Sequence, residues 1–246
     1  MLPLIGTIST YALVRTAYVF VAFVLVTRLN ARQGIAPVVT WTAFAFGVPA
    51  GILGAHLLDL VEYTGHYRQL ADLVGRDGSS IYGAFIAVFP AVWLYTHFQG
   101  IPTLRFLDGG APAMALGEAM TRVGCFLNGC CYGMPWSGPL AVTFPPESFA
   151  YHDQVSRGLL RVGASGSLAV HPVQLYSMAI MLVVFGVLLR MLRRPHRDGA
   201  VFYTFLLAYG ALRLGMAPLR QEALVSMVVF SAGFVLVGDY RPIAGR

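Results

Sequence analysis

Residues 173–192 read VQLYSMAIMLVVFGVLLRML, twenty residues whose single charge, Arg190, stands near the end. As a helix, such a run spans the hydrocarbon of a bilayer, because about 20 residues at roughly 1.5 Å each match its thickness. Outward from it lie six further apolar segments, at roughly 11–27, 38–61, 81–97, 111–131, 200–218 and 223–238. Of all 246 residues, 57% are hydrophobic and 11% charged, and the mean hydropathy is +0.68. Soluble domains carry about a quarter charged residues. The expected fold is therefore all-α: a polytopic membrane bundle of about seven transmembrane helices, forming one integral domain over 1–246.

The chain has 17 basic residues, all arginine. Apart from Arg15, Arg122 and Arg213, which fall inside apolar segments, nine lie on one side of the expected bundle and five on the other. The positive-inside rule puts the richer side, with Arg28, Arg105 and the run RMLRRPHR at 190–197, in the cytoplasm. The N-terminus and the two long connections, 62–80 and 132–172, then lie outside. MLPLIGTIST has no basic region before an apolar core, so it does not read as a cleaved signal peptide. Nothing resembles a nucleotide-binding loop or a nucleic-acid surface. Gly47, Gly51 and Gly54 in the second segment are expected to serve close helix packing.

Ionisable groups inside a membrane are costly, and they mark sites. Arg122 lies in EAMTRVGCFLNGCCYG, one helical turn after Glu118 and nearly one turn before Cys125. A structural ion pair with Glu118 is the plain alternative to a binding role. Arg213 lies one turn after Tyr209, and Arg220 two turns further on, a ladder suited to an anionic headgroup. Guanidinium binds phosphate through paired hydrogen bonds. His171 opens HPVQLY, followed by Gln174 and Tyr176, and fits either a helix-start hydrogen-bonding role or a base. His56, Asp59 and Glu62 share the outer half of the second segment, more as a polar face or ion pair than as a metal set. Cys125, Cys130 and Cys131 form C-x4-C-C, which is not a standard zinc or iron–sulfur spacing. They are either small packing residues or a thiol site close to Arg122.

In this order the segments resemble the prolipoprotein diacylglyceryl transferase family. TRVGCFLNGCCYG resembles its signature GR-x-GNFINGE-x-x-G, and HPVQLY its HP-x-QLYE. DGAVFYTFLLAYGALRLGMAPLRQ is similar to its late helix with LIGYG-x-FR. IGTISTYALV and GAHLLDLV are similar to its early segments, and RDGSSIYGAFI stands where it has GGMSFHGGLIG. The resemblance implies seven spans, an outer N-terminus and a place in the bacterial cytoplasmic (inner) membrane. It implies transfer of diacylglyceryl from phosphatidylglycerol, or a related anionic phospholipid, to the thiol of a lipobox-containing prolipoprotein or another thiol acceptor. No cofactor and no metal are implied.

Carried onto this chain, the resemblance makes Arg122 and Arg213 the phosphate-holding residues. Tyr11, Asn128, Gly129, Gly133, Gln174, Tyr176, Tyr209 and Arg220 become substrate-binding residues, and His171 and Tyr82 the remaining catalytic candidates. Departures are specific. Cys125 replaces an asparagine, Cys130 an acidic residue, Tyr82 a histidine, and Ser177 and Ala217 glutamates. The arginines persist while proton-handling groups are lost. Two rivals follow: the same fold with thiol or metal chemistry at Cys125, Cys130 and Cys131, or a phospholipid-binding protein without turnover.

Overall fold

The computed structural model describes residues 4–5, 8–62 and 81–220. Leu4–Ile5 (β1) and Ile8–Ser9 (β2) form a short antiparallel pair. Everything larger is helical: α1 Thr10–Arg32, α2 Pro37–Glu62, α3 Ile81–Phe98, α4 Thr103–Asn128, α5 Phe149–Ser156, α6 Val173–Leu192 and α7 Ala200–Arg220. The first six apolar segments of the sequence each fall on one long helix, and the seventh, 223–238, lies outside the described residues. Among the described residues, three helical stretches are long and apolar enough to cross a membrane: Pro37–Leu58, Val173–Leu192 and Ala200–Leu219. Gly83–Phe98 is a shorter apolar helix.

Two elements depart from expectation. The fourth segment is a helix from Thr103, not 111, because Arg105, Asp108, Gly109 and Gly110 dilute its first turns below the apolar threshold while leaving its backbone helical. The connection 132–172 contains α5 and a core of its own, described with the site.

The polarity pattern is inside-out relative to a soluble protein. Phe46, Ile86, Val183 and Leu207 are 65–68% exposed, whereas Asn30, Thr40, Asp108 and Gln174 are 0% exposed. Hydrocarbon accepts the first group, while the second must find partners inside the protein. Asn30 does so by donating to the Thr40 hydroxyl at 3.2 Å and accepting from Gln33 at 3.4 Å.

The chain divides into two compact units, 23–110 and the remainder. In the 23–110 unit, α2 packs on α3. Ile35, Val39, Ala43, Val92 and Phe106 form its buried core. Of the three α2 glycines, two serve this packing. A Cβ on Gly51 would lie 2.9 Å from Val88 Cγ2, and one on Gly54 would strike the Gly83 carbonyl. Gly47 has open space instead. In the other unit, α6 packs on α7, and Ala119 of α4 meets Met181 of α6 and Leu212 of α7. Tyr18 of α1 donates to the Ala113 carbonyl at 3.0 Å, and its ring fills the space a side chain at Gly117 would need.

Gly83→Ala is expected to destabilise the detergent-solubilised protein by about 1–3 kcal/mol, because its Cβ meets backbone that cannot rotate away. Gly47→Ala should be neutral or slightly stabilising. Thermal melting of the two variants checks the contrast.

Candidate functional site

The site begins where α4 ends. Gly129 has φ +72°, the Gly129 N–H donates to the Phe126 carbonyl at 3.2 Å, and the Cys130 N–H donates to the Cys125 carbonyl at 3.1 Å. These are the two bonds of a Schellman motif, in which a left-handed residue closes the last turn onto its own carbonyls. The same pair of bonds ends α1 at Gly34–Ile35 and α3 at Gly100–Ile101. At Gly129 the glycine is needed twice over: its Cβ would also lie 2.8 Å from Ser148 Cβ.

The reversal determines the fate of the cysteines. Cys130 returns to Cys125 through the 3.1 Å backbone bond. Cys131 adopts φ +56°, a left-handed conformation that non-glycine residues enter at a cost of roughly 1–3 kcal/mol. The three sulfurs lie within 4.8 Å of one another. None of the three is in a disulfide, and they are graded from buried Cys125 through Cys130 to exposed Cys131. The sequence reading left open whether these three were packing residues or a thiol site, and the structure brings their sulfurs together. C-x4-C becomes a cluster only when a helix cap folds between the two cysteines, and Asn128–Gly129 was the signal for that cap.

Arg122 stands one turn before Cys125 and is 8% exposed. Its Nε and Nη2 both donate to Glu118 Oε1, at 2.8 and 2.5 Å. The ion pair anticipated from the spacing therefore forms. A guanidinium carries five N–H donors, so these two bonds leave donors over. The same guanidinium is within electrostatic reach of the Cys125 and Cys131 thiols.

The start of α6 closes the turn from the other side. Gln174 is fully buried, and its Nε2 donates to the Cys130 carbonyl at 2.8 Å, while its Oε1 has no partner among the described residues. One turn earlier, the His171 ring stacks on Trp136, with centroids 4.1 Å apart and planes 9° from parallel. It also meets Tyr176 edge-on at 6.3 Å. His171 Nδ1 is buried without a hydrogen-bond partner among the described residues. Gly133 donates to the His171 carbonyl at 3.0 Å, and a Cβ on Gly133 would lie 2.7 Å from His171 Cβ. Gln174, Gly129 and Gly133 thus shape the site's backbone.

On α7, Tyr209 stacks on Phe205 and packs with the Ala119–Met181–Leu212 cluster. Tyr209 thus joins α7 to the packing between α4 and α6, one turn before Arg213. The side chains of Tyr11, Tyr82, Arg220, Asp59 and Glu62 lie outside the described residues. His56 Nδ1 is 2.8 Å from the Ile52 carbonyl.

Over the site sits the connection 132–172, which the sequence reading left without internal structure. Phe144, Ala150 and Val170 form its buried centre. Ser148 caps α5 by accepting from Tyr151 N–H at 3.2 Å, and Ala150 N–H donates to the Gly129 carbonyl at 3.0 Å. Tyr132 donates to Asp153, which also binds Arg157 at 3.0 Å. Burial, the hydrogen bond to Asp153 and its negative charge push the Tyr132 phenol up to about 12. Trp136 and Tyr18 are contributors that sequence reasoning missed, since a lone aromatic in a loop or a span carries no spacing signal.

The family model for prolipoprotein diacylglyceryl transferase matches residues 2–238. Three relatives carry the name phosphatidylglycerol–prolipoprotein diacylglyceryl transferase. One from Clostridium tetani is 30% identical over 208 residues, covering 83% of this chain and 77% of its own. One from Corynebacterium efficiens is 30% identical over 246 residues, covering 91% and 74%. One from Dehalococcoides mccartyi is 27% identical over 180 residues, covering 73% of this chain and 64% of its own, just under two thirds of its length.

Two predictions follow from the geometry. Gly129→Ala should lower the melting temperature more than Gly158→Ala, which shares the positive φ (+71°) but has open space around it; the difference isolates the Ser148 contact. Tyr132 has a raised pKa in the folded state, so its contribution to stability is complete below pH 10 and lost as pH rises from 10 towards 12. Melting curves of Tyr132→Phe should show a smaller loss of stability across that window than the unsubstituted protein.

Proposed function

The chain belongs to the prolipoprotein diacylglyceryl transferase family, and we propose that it transfers the diacylglyceryl group of phosphatidylglycerol to the thiol of a lipobox cysteine. The acceptor is a prolipoprotein presented at the outer face of the bacterial cytoplasmic membrane, which this chain crosses several times with its N-terminus outside. The observation that carries the reading is Arg122, a guanidinium 8% exposed beside a cluster of polar backbone turns, with donors beyond those Glu118 occupies.

In this reading Arg122 and Arg213 bind the lipid phosphate. Glu118 fixes the plane of the Arg122 guanidinium, so that its remaining N–H groups face one direction without reorganising during the reaction. Asn128, Tyr209, Tyr176, Tyr11 and Arg220 orient the headgroup. The acceptor sulfur attacks the glycerol carbon that carries the phosphoester. A C–S bond forms, the C–O bond breaks, and glycerol phosphate leaves with the electron pair, its charge met by the arginines. The nucleophile must be a thiolate. His171, with its buried and unpartnered Nδ1, is the described side chain best suited to accept the proton.

The test separates a phosphate role from a structural one. Removing only one partner of a buried ion pair costs about 3–5 kcal/mol because it strands the other charge. Arg122→Gln alone should therefore lower both stability and transfer. The double variant Glu118→Gln/Arg122→Gln should recover most of the stability and still show a roughly 100-fold or greater loss of transfer. Transfer is read by mass spectrometry of a lipobox peptide incubated with phosphatidylglycerol and purified protein. Full activity in the double variant would remove Arg122 from the mechanism. No adduct with the unsubstituted protein would overturn the transferase reading.

A further inference from the structure

We propose that Cys125, Cys130 and Cys131 form a binding site for a thiophilic divalent cation of the zinc class. We propose further that the cation's open position takes the acceptor thiol. The second part rests on the transferase reading; the first does not.

The case starts from placement. Three sulfurs within 4.8 Å of one another come from a single turn of chain, with no long-range rearrangement needed to assemble them. Four-coordinate zinc has Zn–S distances of about 2.3 Å, which places its sulfurs roughly 3.8 Å apart, so a side-chain adjustment of about 1 Å completes the geometry. The turn is held in place. Gly129 closes the helix, Gln174 grips the Cys130 carbonyl at 2.8 Å, and the strained Cys131 is kept left-handed at φ +56°. Backbone strain of this kind persists only where surroundings enforce it.

The chemistry of the donors selects the ion. Thiolates favour soft and borderline metals, whereas magnesium and calcium require oxygen ligands. The burial gradient leaves one side open: Cys125 is 4% exposed, whereas Cys131 faces outward. Gln174 Oε1, buried and unsatisfied, adds an acceptor on the residue that holds the turn.

Three protein ligands with one open position is the coordination of reactive zinc sites, and a thiol bound to such an ion loses its proton. The acceptor cysteine would surrender its S–H proton to His171 on binding. Its sulfur lone pair would then form the C–S bond as the C–O bond to phosphate breaks. The atoms and charges balance with no oxidant or reductant. The cation thereby supplies the ionisation that the chain's depleted set of acid–base side chains leaves undersupplied.

The experiment uses detergent-purified full-length protein stripped with a chelator. Cadmium ion is added stepwise while the ultraviolet sulfur-to-metal charge-transfer band is followed. The expected result is one equivalent bound, with Cys125→Ser and Cys131→Ser each weakening binding at least 100-fold. As a check that needs no variant, one equivalent of zinc should slow N-ethylmaleimide alkylation of the exposed Cys131 in the unsubstituted protein. No charge-transfer band, or binding by both variants as tight as by the unsubstituted protein, overturns the site. For the role, transfer to the lipobox peptide should fall at least tenfold on chelation and return with zinc. Transfer that is indifferent to chelation overturns the role and leaves the transferase reading intact. Metal bound with no transfer in either state overturns the role together with that reading, and leaves the site standing.

Discussion

A helix that stops inside its own protein leaves carbonyls on its last turn that water cannot reach, and α4 meets this constraint with one left-handed residue. Gly129 folds the chain back so that Cys130 N–H reaches the Cys125 carbonyl. The direction of everything after residue 128 follows from that reversal. The three thiols converge because of it, Gln174 of α6 docks against the Cys130 carbonyl, and Ala150 in the first turn of α5 bonds to the Gly129 carbonyl. A side chain at 129 would oppose both the backbone conformation and Ser148 at once.

The second organising feature is charge held at low dielectric. Glu118 and Arg122 lie on one α4 face with side-chain exposures of 11% and 10%. Alone, either would be expensive there. Paired, they form a rigid polar element with guanidinium hydrogens still available. The surrounding contacts are of two kinds: packing by Ala119, Met181 and Leu212 fixes the helices, while backbone turns present polar atoms. Helix packing therefore holds the geometry and leaves the turns to supply the chemistry.

Much of this was legible in the residues themselves. The six long helices announce themselves through apolar runs, and the Glu118–Arg122 pair through i,i+4 spacing. What escaped had no periodic signature. The first turns of α4 are helical but carry Arg105, Asp108 and two glycines, so hydropathy began the segment too late. The cap over the site is built from isolated bridges at Pro135–Val170 and Val142–Val170, pairings too short to leave an alternating pattern. The thiol cluster depends on a φ value, which a spacing rule does not encode, although Asn128–Gly129 at a helix end is the local sign of it. Stacking of Trp136 on His171 joins residues 35 positions apart, arithmetic that no motif contains.

The two arms of the cap are joined where they leave the helices. Gly133 donates to the His171 carbonyl at 3.0 Å and His171 donates back to Met134 at 3.1 Å, with Trp136 and Ala169 bonded just beyond at 2.8 Å. A segment whose entrance and exit are fastened to each other transmits no length change to its supports. Residues added or removed beyond the clasp, away from α5 and the Phe144–Ala150–Val170 core, alter mainly the closure entropy of a loop already closed, which grows slowly with size. The distance between the end of α4 and the start of α6 is thus insulated from the composition of the excursion between them. Such a segment can diversify, shrink or be exchanged for another while the helices beneath keep their register, so the part of the molecule above the turn is free to evolve at a different pace from the part below it.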